Sequence, residues 1–177
     1  MELFKKIIKI LDSNLIHCLI PIITTLIIIE FFFKNRFETK KTINLIRWSI
    51  IIYTIITCLY FLLSFVFNQM EFTFIYLGNG SYKIIYWIML IFSLILPFTL
   101  LINKVATKYW YVLLVAFAMK IGFYFEQFII FSTSLHREYV TENESLKFVG
   151  IYFSQGVFIA ILTLIIFEIV KKIATNK

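Results

Sequence analysis

Residues 43–67 read INLIRWSIIIYTIITCLYFLLSFVF, a long apolar run in which Arg47 is the one charged residue. A membrane-spanning helix needs about 20 consecutive, mainly apolar residues, because the hydrocarbon core of a bilayer is about 30 Å thick. The run therefore predicts a transmembrane helix, and it sets the class of fold in which the rest of the chain is interpreted.

Four further apolar windows lie on either side of this run, at residues 15–33, 84–102, 110–135 and 148–170. The predicted fold is all-α, a polytopic transmembrane helix bundle of about five spans over residues 15–170. Ahead of it, residues 1–14 alternate apolar side chains with lysines, which is typical of a short amphipathic helix in the membrane surface. A frayed, solvated tail is the alternative for this segment. Residues 171–177 form a C-terminal tail.

Composition agrees with a membrane protein. Of the 177 residues, 61% are hydrophobic and 15% are charged, whereas soluble domains are about 45 to 50% apolar and about 25% charged. After five spans the chain has no room for a separate soluble catalytic domain. The net charge of +7 comes from residues between the apolar runs, so we expect no nucleic-acid partner. Cys18 and Cys58 lie inside apolar runs without a CxxC partner, and they predict neither a disulfide nor a metal site.

The basic residues also predict an orientation, because cytoplasmic loops carry an excess of Lys and Arg. One side of the membrane collects the heavier set: Lys34, Arg36, Lys40, Lys41, Arg47, Lys104, Lys108, Lys171, Lys172 and Lys177. We therefore expect the C-terminus in the cytoplasm and the N-terminus outside.

Two charged residues, Lys120 and Glu126, lie well inside the fourth span. Such a residue costs about 2.5 to 3.5 kcal/mol near the bilayer centre, so each needs a partner or a function. The two lie about 120° apart around the helix and cannot pair with each other. Gln127 and Tyr124 share the Lys120 face, so polar groups occupy two faces and the span is predicted at the centre of the bundle. A proton or quinone path and a structural ion pair with another helix both remain open.

Glu30 and Glu168 lie within about a turn of the predicted cytoplasmic ends of their spans, where a carboxylate can reach the interface. His17 lies near the outer end of the first span, and we interpret it as a hydrogen-bonded histidine rather than a ligand. The sequence lacks a pair of histidines placed to ligate haem inside the membrane.

Proline and small residues give weaker signals. Pro21 and Pro97 are expected to kink their helices, because each removes a backbone donor. Gly150 and Ser154 form a small-xxx-small pair that favours close helix packing on the fifth span.

The stretch FYFEQFIIFSTSLHREY (123–139) resembles a helix of the membrane-integral NrfD or polysulfide-reductase-like subunits, most closely the form found in alternative complex III. The matching positions are Ile121, Gly122, Glu126, Phe128, Ile129, Ile130, Thr133, Ser134, Leu135, His136, Arg137 and Glu138. A looser likeness lies in GNGSYKIIYWIMLIFSLILP (78–97). It runs through Gly80, Tyr82, Tyr86, Trp87, Met89 and Pro97.

The resemblance implies a membrane subunit of a quinol or menaquinol oxidoreductase complex in the bacterial inner membrane. Such a chain binds no cofactor of its own, docks an iron–sulfur or cytochrome subunit that carries the clusters or haem, and can contribute to proton transfer. Glu126 is then the candidate proton carrier. On the outer side, His136 and Arg137, with Tyr82 and Trp87, are the candidates for contact with the partner.

The chain departs from the family in two respects. Gln127 stands where the family has arginine, and the likeness covers only the second half of the family's proteins. Three explanations stay open: a split subunit whose first helix bundle is a separate chain, a reduced homologue, or an eroded copy. We expect a non-catalytic or incomplete subunit rather than a complete enzyme. The rival hypothesis is a non-redox membrane scaffold or half-transporter whose buried charges only specify helix packing.

Overall fold

The computed structural model describes residues 2–34, 36–67, 83–135 and 144–175. Within these ranges the chain is helical and contains no strand, which confirms the all-α prediction. The α-helices are α1 (Glu2–Leu11), α2 (Leu19–Phe33), α3 (Thr39–Val66), α4 (Lys83–Ile95), α5 (Asn103–Ala106), α6 (Tyr109–Leu135) and α7 (Glu144–Thr175).

Two helical stretches, Leu3–Phe33 and Thr39–Val66, are long and apolar enough to cross a bilayer by length and composition. Among the described residues, the shorter apolar helices are Trp87–Leu101 and Tyr109–Phe125. Many large apolar side chains on the outer faces of the helices are exposed, including Ile52 and Leu62 on α3 and Phe158 on α7. An apolar surface of this kind is what a bilayer covers.

Helix α2 lies at the centre of the described bundle, packed against α3, α6 and α7. Its Leu19, Ile22, Ile23 and Leu26 are almost fully buried. Helix α6, the fourth predicted span, packs against both α2 and α4. Helix α6 buries one side through small and branched residues but leaves large apolar side chains such as Phe117 exposed on the other.

The chain enters α2 through a wide π-helical turn, Asp12–Ile16, which follows α1 directly. The amide of His17 donates to the carbonyl oxygen of Asp12 over five residues, at 3.0 Å. Pro21 falls in the first turn of α2, where its missing N–H needs no intrahelical partner. The irregular backbone near Pro21 is thus the π-helical turn that precedes α2. This turn sets the direction of the side chains of residues 12–16.

The second proline, Pro97, marks a change of helix type. Helix α4 ends at Ile95 and continues as a 3₁₀-helix, Leu96–Leu101, with Pro97 at its start. The predicted span at 84–102 is therefore composite.

Close packing between α2 and α7 depends on Gly156. A Cβ atom at this position would lie 2.7 Å from Cγ of Pro21 and 2.9 Å from the carbonyl oxygen of Cys18. The sequence predicted close packing at Gly150 and Ser154, with Gln155 and Gly156 extending the surface, and the structure places the close contact at Gly156. Gly150 has no atom within 4 Å of such a Cβ, and Ser154 is exposed and bonds to the carbonyl oxygen of Ile151.

Candidate functional site

A buried ion pair joins the N-terminal segment to the fourth predicted span. Nζ of Lys120 lies 2.5 Å from Oδ1 of Asp12, and 9% of the lysine side chain is exposed. The π-helical turn brings the aspartate to this position from a segment that the sequence assigned to the membrane surface. The contact is an ion pair between Lys120 and another helix, which was one of the two alternatives left open for this lysine, and the sequence did not single out Asp12 as the partner.

Tyr53, near the middle of α3, completes the cluster. Its hydroxyl donates to Oδ1 of Asp12 at 3.1 Å. Nδ1 of His17 donates to the backbone oxygen of Asp12 at 2.7 Å, so His17 is hydrogen-bonded as predicted. The aspartate thus accepts hydrogen bonds that tie α3, α6 and the entrance of α2 together.

The cluster lines a cavity of about 360 Å³. Asp12, Tyr53 and Lys120 meet at this cavity, and apolar side chains such as Met89, Leu90, Met119 and Phe123 form much of its wall. Smaller hydroxyl groups on α3 and α4 (Thr54, Thr57 and Ser93) also face it. Apolar walls with a few converging polar groups are the usual composition of a small-molecule site.

Tyr124, predicted on the Lys120 face, lines a second cavity of about 320 Å³ with His17 and Tyr152. Phe123 borders both cavities, and its ring packs edge-on against His17 with centroids 4.7 Å apart. The structure therefore places Lys120 and Tyr124 at two neighbouring cavities that share Phe123 as a lining residue.

The other predicted site residues are located as follows. Glu126 and Gln127 are on α6, but their side chains are outside the described part. Tyr82, His136 and Arg137 lie outside the described residues altogether. Trp87 is exposed on α4, on a surface that a partner or lipid can reach.

A second polar cluster gathers helix ends at the opposite side of the bundle. The hydroxyl of Thr39, at the start of α3, donates to Oε2 of Glu30 at 2.5 Å and accepts from the hydroxyl of Tyr109 at 3.1 Å. Oε1 of Glu168 accepts the amide of Glu38 at 3.0 Å. Glu30 and Glu168 thus both stabilise helix ends at this side of the bundle.

Glu38 forms the ion pairs of this second cluster. Its carboxylate lies 3.0 Å from Nζ of Lys171 and 3.4 Å from Nζ of Lys41. The hydrogen bond from Lys171 is the main cause that lowers the pKa of Glu38, and in turn raises the pKa of Lys171. These contacts bring the segment between α2 and α3 beside the end of α7.

In the described residues no group of three or more His, Cys, Asp or Glu is placed to hold a metal ion, and Cys18 and Cys58 are not disulfide-bonded. Comparisons with models of known protein families, with curated proteins and with solved structures find no match to this chain.

Proposed function

We propose that this chain is a multi-pass subunit of a quinol-linked electron-transfer complex in the bacterial inner membrane, and that it binds the quinol headgroup in the cavity beside Lys120. The observation that carries the proposal is the meeting of Asp12, Tyr53 and Lys120 at one apolar-walled cavity. The likeness of residues 123–139 to NrfD and polysulfide-reductase-like subunits supports a role in a quinol-linked complex. The quinol site of that family lies largely in the first helix bundle, which this chain lacks, so a site beside Lys120 rests on the cavity itself.

The chemistry of the cavity suits a quinol. A quinol has a planar apolar ring with a hydroxyl group at each end, so it needs apolar walls and polar groups that can both accept and donate. Asp12 supplies an acceptor and Lys120 a donor, and the cavity volume of about 360 Å³ lies within the range of about 300 to 1,000 Å³ for small-ligand sites.

The position of Lys120 fits a ligand that arrives through the lipid. Lys120 lies about 16 Å along α6 from its first residue at 1.5 Å per residue, close to half the thickness of the hydrocarbon core. Oxidation of a quinol releases two electrons and two protons. Asp12, at this depth, can accept one proton, and the predicted carrier Glu126, about 9 Å further along α6, can accept the other. The two electrons pass to cofactors of the partner subunits.

The proposed five-span bundle uses α2, α3, the composite of α4 and its 3₁₀ extension, α6 and α7. Helices α6 and α7, with 27 and 32 residues, are about 40 and 48 Å long, which exceeds the hydrocarbon thickness. The iron–sulfur or cytochrome partner is proposed to dock on the outer side, near Tyr82, Trp87, His136 and Arg137. A separate chain supplying the first helix bundle is a further proposed partner.

Purification in a mild detergent tests the complex, and ligand binding tests the site. We expect the tagged chain to co-purify with an iron–sulfur or cytochrome subunit and to bind a hydroxyquinoline N-oxide, a quinol mimic. Asp12→Asn should weaken this binding at least tenfold, whereas Lys108→Gln, an exposed lysine just before α6, should not. A chain that runs alone, or equal binding by both variants, would contradict the proposal.

A second function is favoured by one observation: Asp12 and Lys120 already neutralise each other. A scaffold, or half of a transporter, whose buried charges only specify helix packing, needs no more than this contact. The double variant Asp12→Leu with Lys120→Met separates the two functions. If the chain is a scaffold, the double variant should keep its assembly with all other properties unchanged. If the cavity is a quinol site, the double variant should lose ligand binding while the bundle stays folded.

A further inference from the structure

A groove of about 650 Å³ opens between α2 and α7, far from the Lys120 cavity. Seven of its ten lining residues are Ile, Leu or Phe. Six of them belong to α2 and α7, and the seventh, Phe37, belongs to the connection between α2 and α3. The remaining three, Glu168, Lys171 and Lys172, all belong to the last turns of α7. The groove is thus apolar along its length and charged at one end.

The lining residues at that end carry one negative and two positive charges, from Glu168, Lys171 and Lys172. The carboxylate of Glu168 accepts the amide of Glu38. Lys171 lies 3.0 Å from Glu38 and is 46% exposed, and Lys172 is exposed as well. An occupant of the groove with an anionic group at the membrane surface meets two exposed ammonium groups, of which that of Lys171 is also paired with Glu38.

The depth of the groove matches one leaflet. From Ile161 to Lys172 it follows α7 for about 16 Å at 1.5 Å per residue, and half of a hydrocarbon core is about 15 Å. Ile161 and Ile165, which line the groove, are 45% and 54% exposed. The chemistry required of the occupant is therefore an apolar chain one leaflet long that ends in an anion.

We propose that this groove is a binding site for an anionic phospholipid, with an acyl chain along α2 and α7 and the phosphate at Lys171 and Lys172. Basic residues at the ends of membrane helices recognise anionic headgroups in this way. The site depends on the membrane location of the chain and not on quinol chemistry, so its success or failure leaves the function of the Lys120 cavity undecided.

Native mass spectrometry of the full chain tests the site. The protein in neutral detergent is incubated with equal amounts of phosphatidylglycerol and phosphatidylcholine of the same acyl chains, and the ratio of the two bound lipids is measured. We expect phosphatidylglycerol to be retained preferentially. Lys172→Gln, which leaves the pair of Lys171 and Glu38 in place, should reduce the preference about fivefold, and Lys171→Gln with Lys172→Gln about thirtyfold.

Matched controls separate the groove from general surface charge. Lys104→Gln with Lys108→Gln removes two exposed charges at the same predicted side and should leave the preference unchanged. Ile165→Trp should fill the groove and lower lipid retention with both lysines intact, whereas Ile52→Trp on the outer face of α3 should not.

Four results would overturn the proposal: no preference in the unaltered chain, an equal loss in the Lys104 and Lys108 control, no effect of Ile165→Trp beyond that of Ile52→Trp, or displacement of the lipid by glycerol phosphate at equal concentration. The last result would assign the lysines to a phosphate group without an acyl chain. Circular dichroism of each variant confirms that the compared proteins are folded.

Discussion

Replacing Asp12 by leucine leaves the ammonium group of Lys120 with 9% of its side chain exposed and without its carboxylate partner. The reverse change, Lys120→Met, leaves a carboxylate that is 31% exposed and still accepts the hydroxyl of Tyr53. The two halves of one ion pair are therefore expected to differ in their effect on stability.

The magnitudes follow from that difference in exposure. Removing one partner of a buried pair costs about 3 to 5 kcal/mol, and we expect Asp12→Leu to fall in this range. Partial hydration and the Tyr53 hydrogen bond should limit the cost of Lys120→Met to about 1 to 2 kcal/mol. The double variant places two apolar side chains together and should lie within about 1 kcal/mol of the unaltered protein.

A double-mutant cycle in detergent micelles measures these values, with the free energy of unfolding obtained from dodecyl sulfate titrations followed by circular dichroism. Lys108→Met, at an exposed lysine, is the control and should change the free energy by less than about 0.5 kcal/mol. The reasoning is refuted if Lys120→Met is the more damaging single change, or if the two effects add in the double variant.

Three further variants test other parts of the structure. Gly156→Ala should destabilise the bundle by about 1 to 3 kcal/mol, because its Cβ would press on Pro21; Gly150→Ala should be neutral or slightly stabilising in the same titration. The lowered pKa of Glu38 means that its ion pair stabilises the folded state fully above the ordinary pKa of 4.5 and is lost as the pH falls through the lowered value. The melting temperatures of the unaltered protein and Glu38→Gln should therefore differ at pH 7 and converge below about pH 4.5; a constant gap would assign the effect to something other than this titration. Tyr53→Phe should weaken binding of a hydroxyquinoline N-oxide about fivefold, the equivalent of one hydrogen bond of about 1 kcal/mol, and equal calorimetric affinities would place the ligand elsewhere.

Hydropathy predicted the helical class because an apolar run of about 20 residues is typical of a helix that crosses a bilayer. The sequence therefore identified most helical segments, and their described ends fall within a few residues of the apolar windows. It did not reveal how the helices pack. Helix α2 is more apolar than α3, α6 and α7, but hydropathy does not separate contact with other helices from contact with lipid. The close packing of α2 against α7 depends on Gly156, whose role appears only when Pro21 is placed against it.

For the candidate site, the cost of a charge inside the membrane predicted that Lys120 needs a partner, but not which one. Asp12 is 108 residues away in the chain and belongs to a segment with the pattern of a surface helix. Its inward orientation comes from the π-helical turn, in which the carbonyl of Asp12 bonds to His17. A useful signal was its position, an acid directly before an apolar window.

The N-terminal segment is held to the bundle from two sides. It supplies the carboxylate for Lys120, and Gln155 of α7 donates to Asn14 of that segment at 3.3 Å. The charge of Lys120 is therefore neutralised within this chain and needs no carboxylate from a second one.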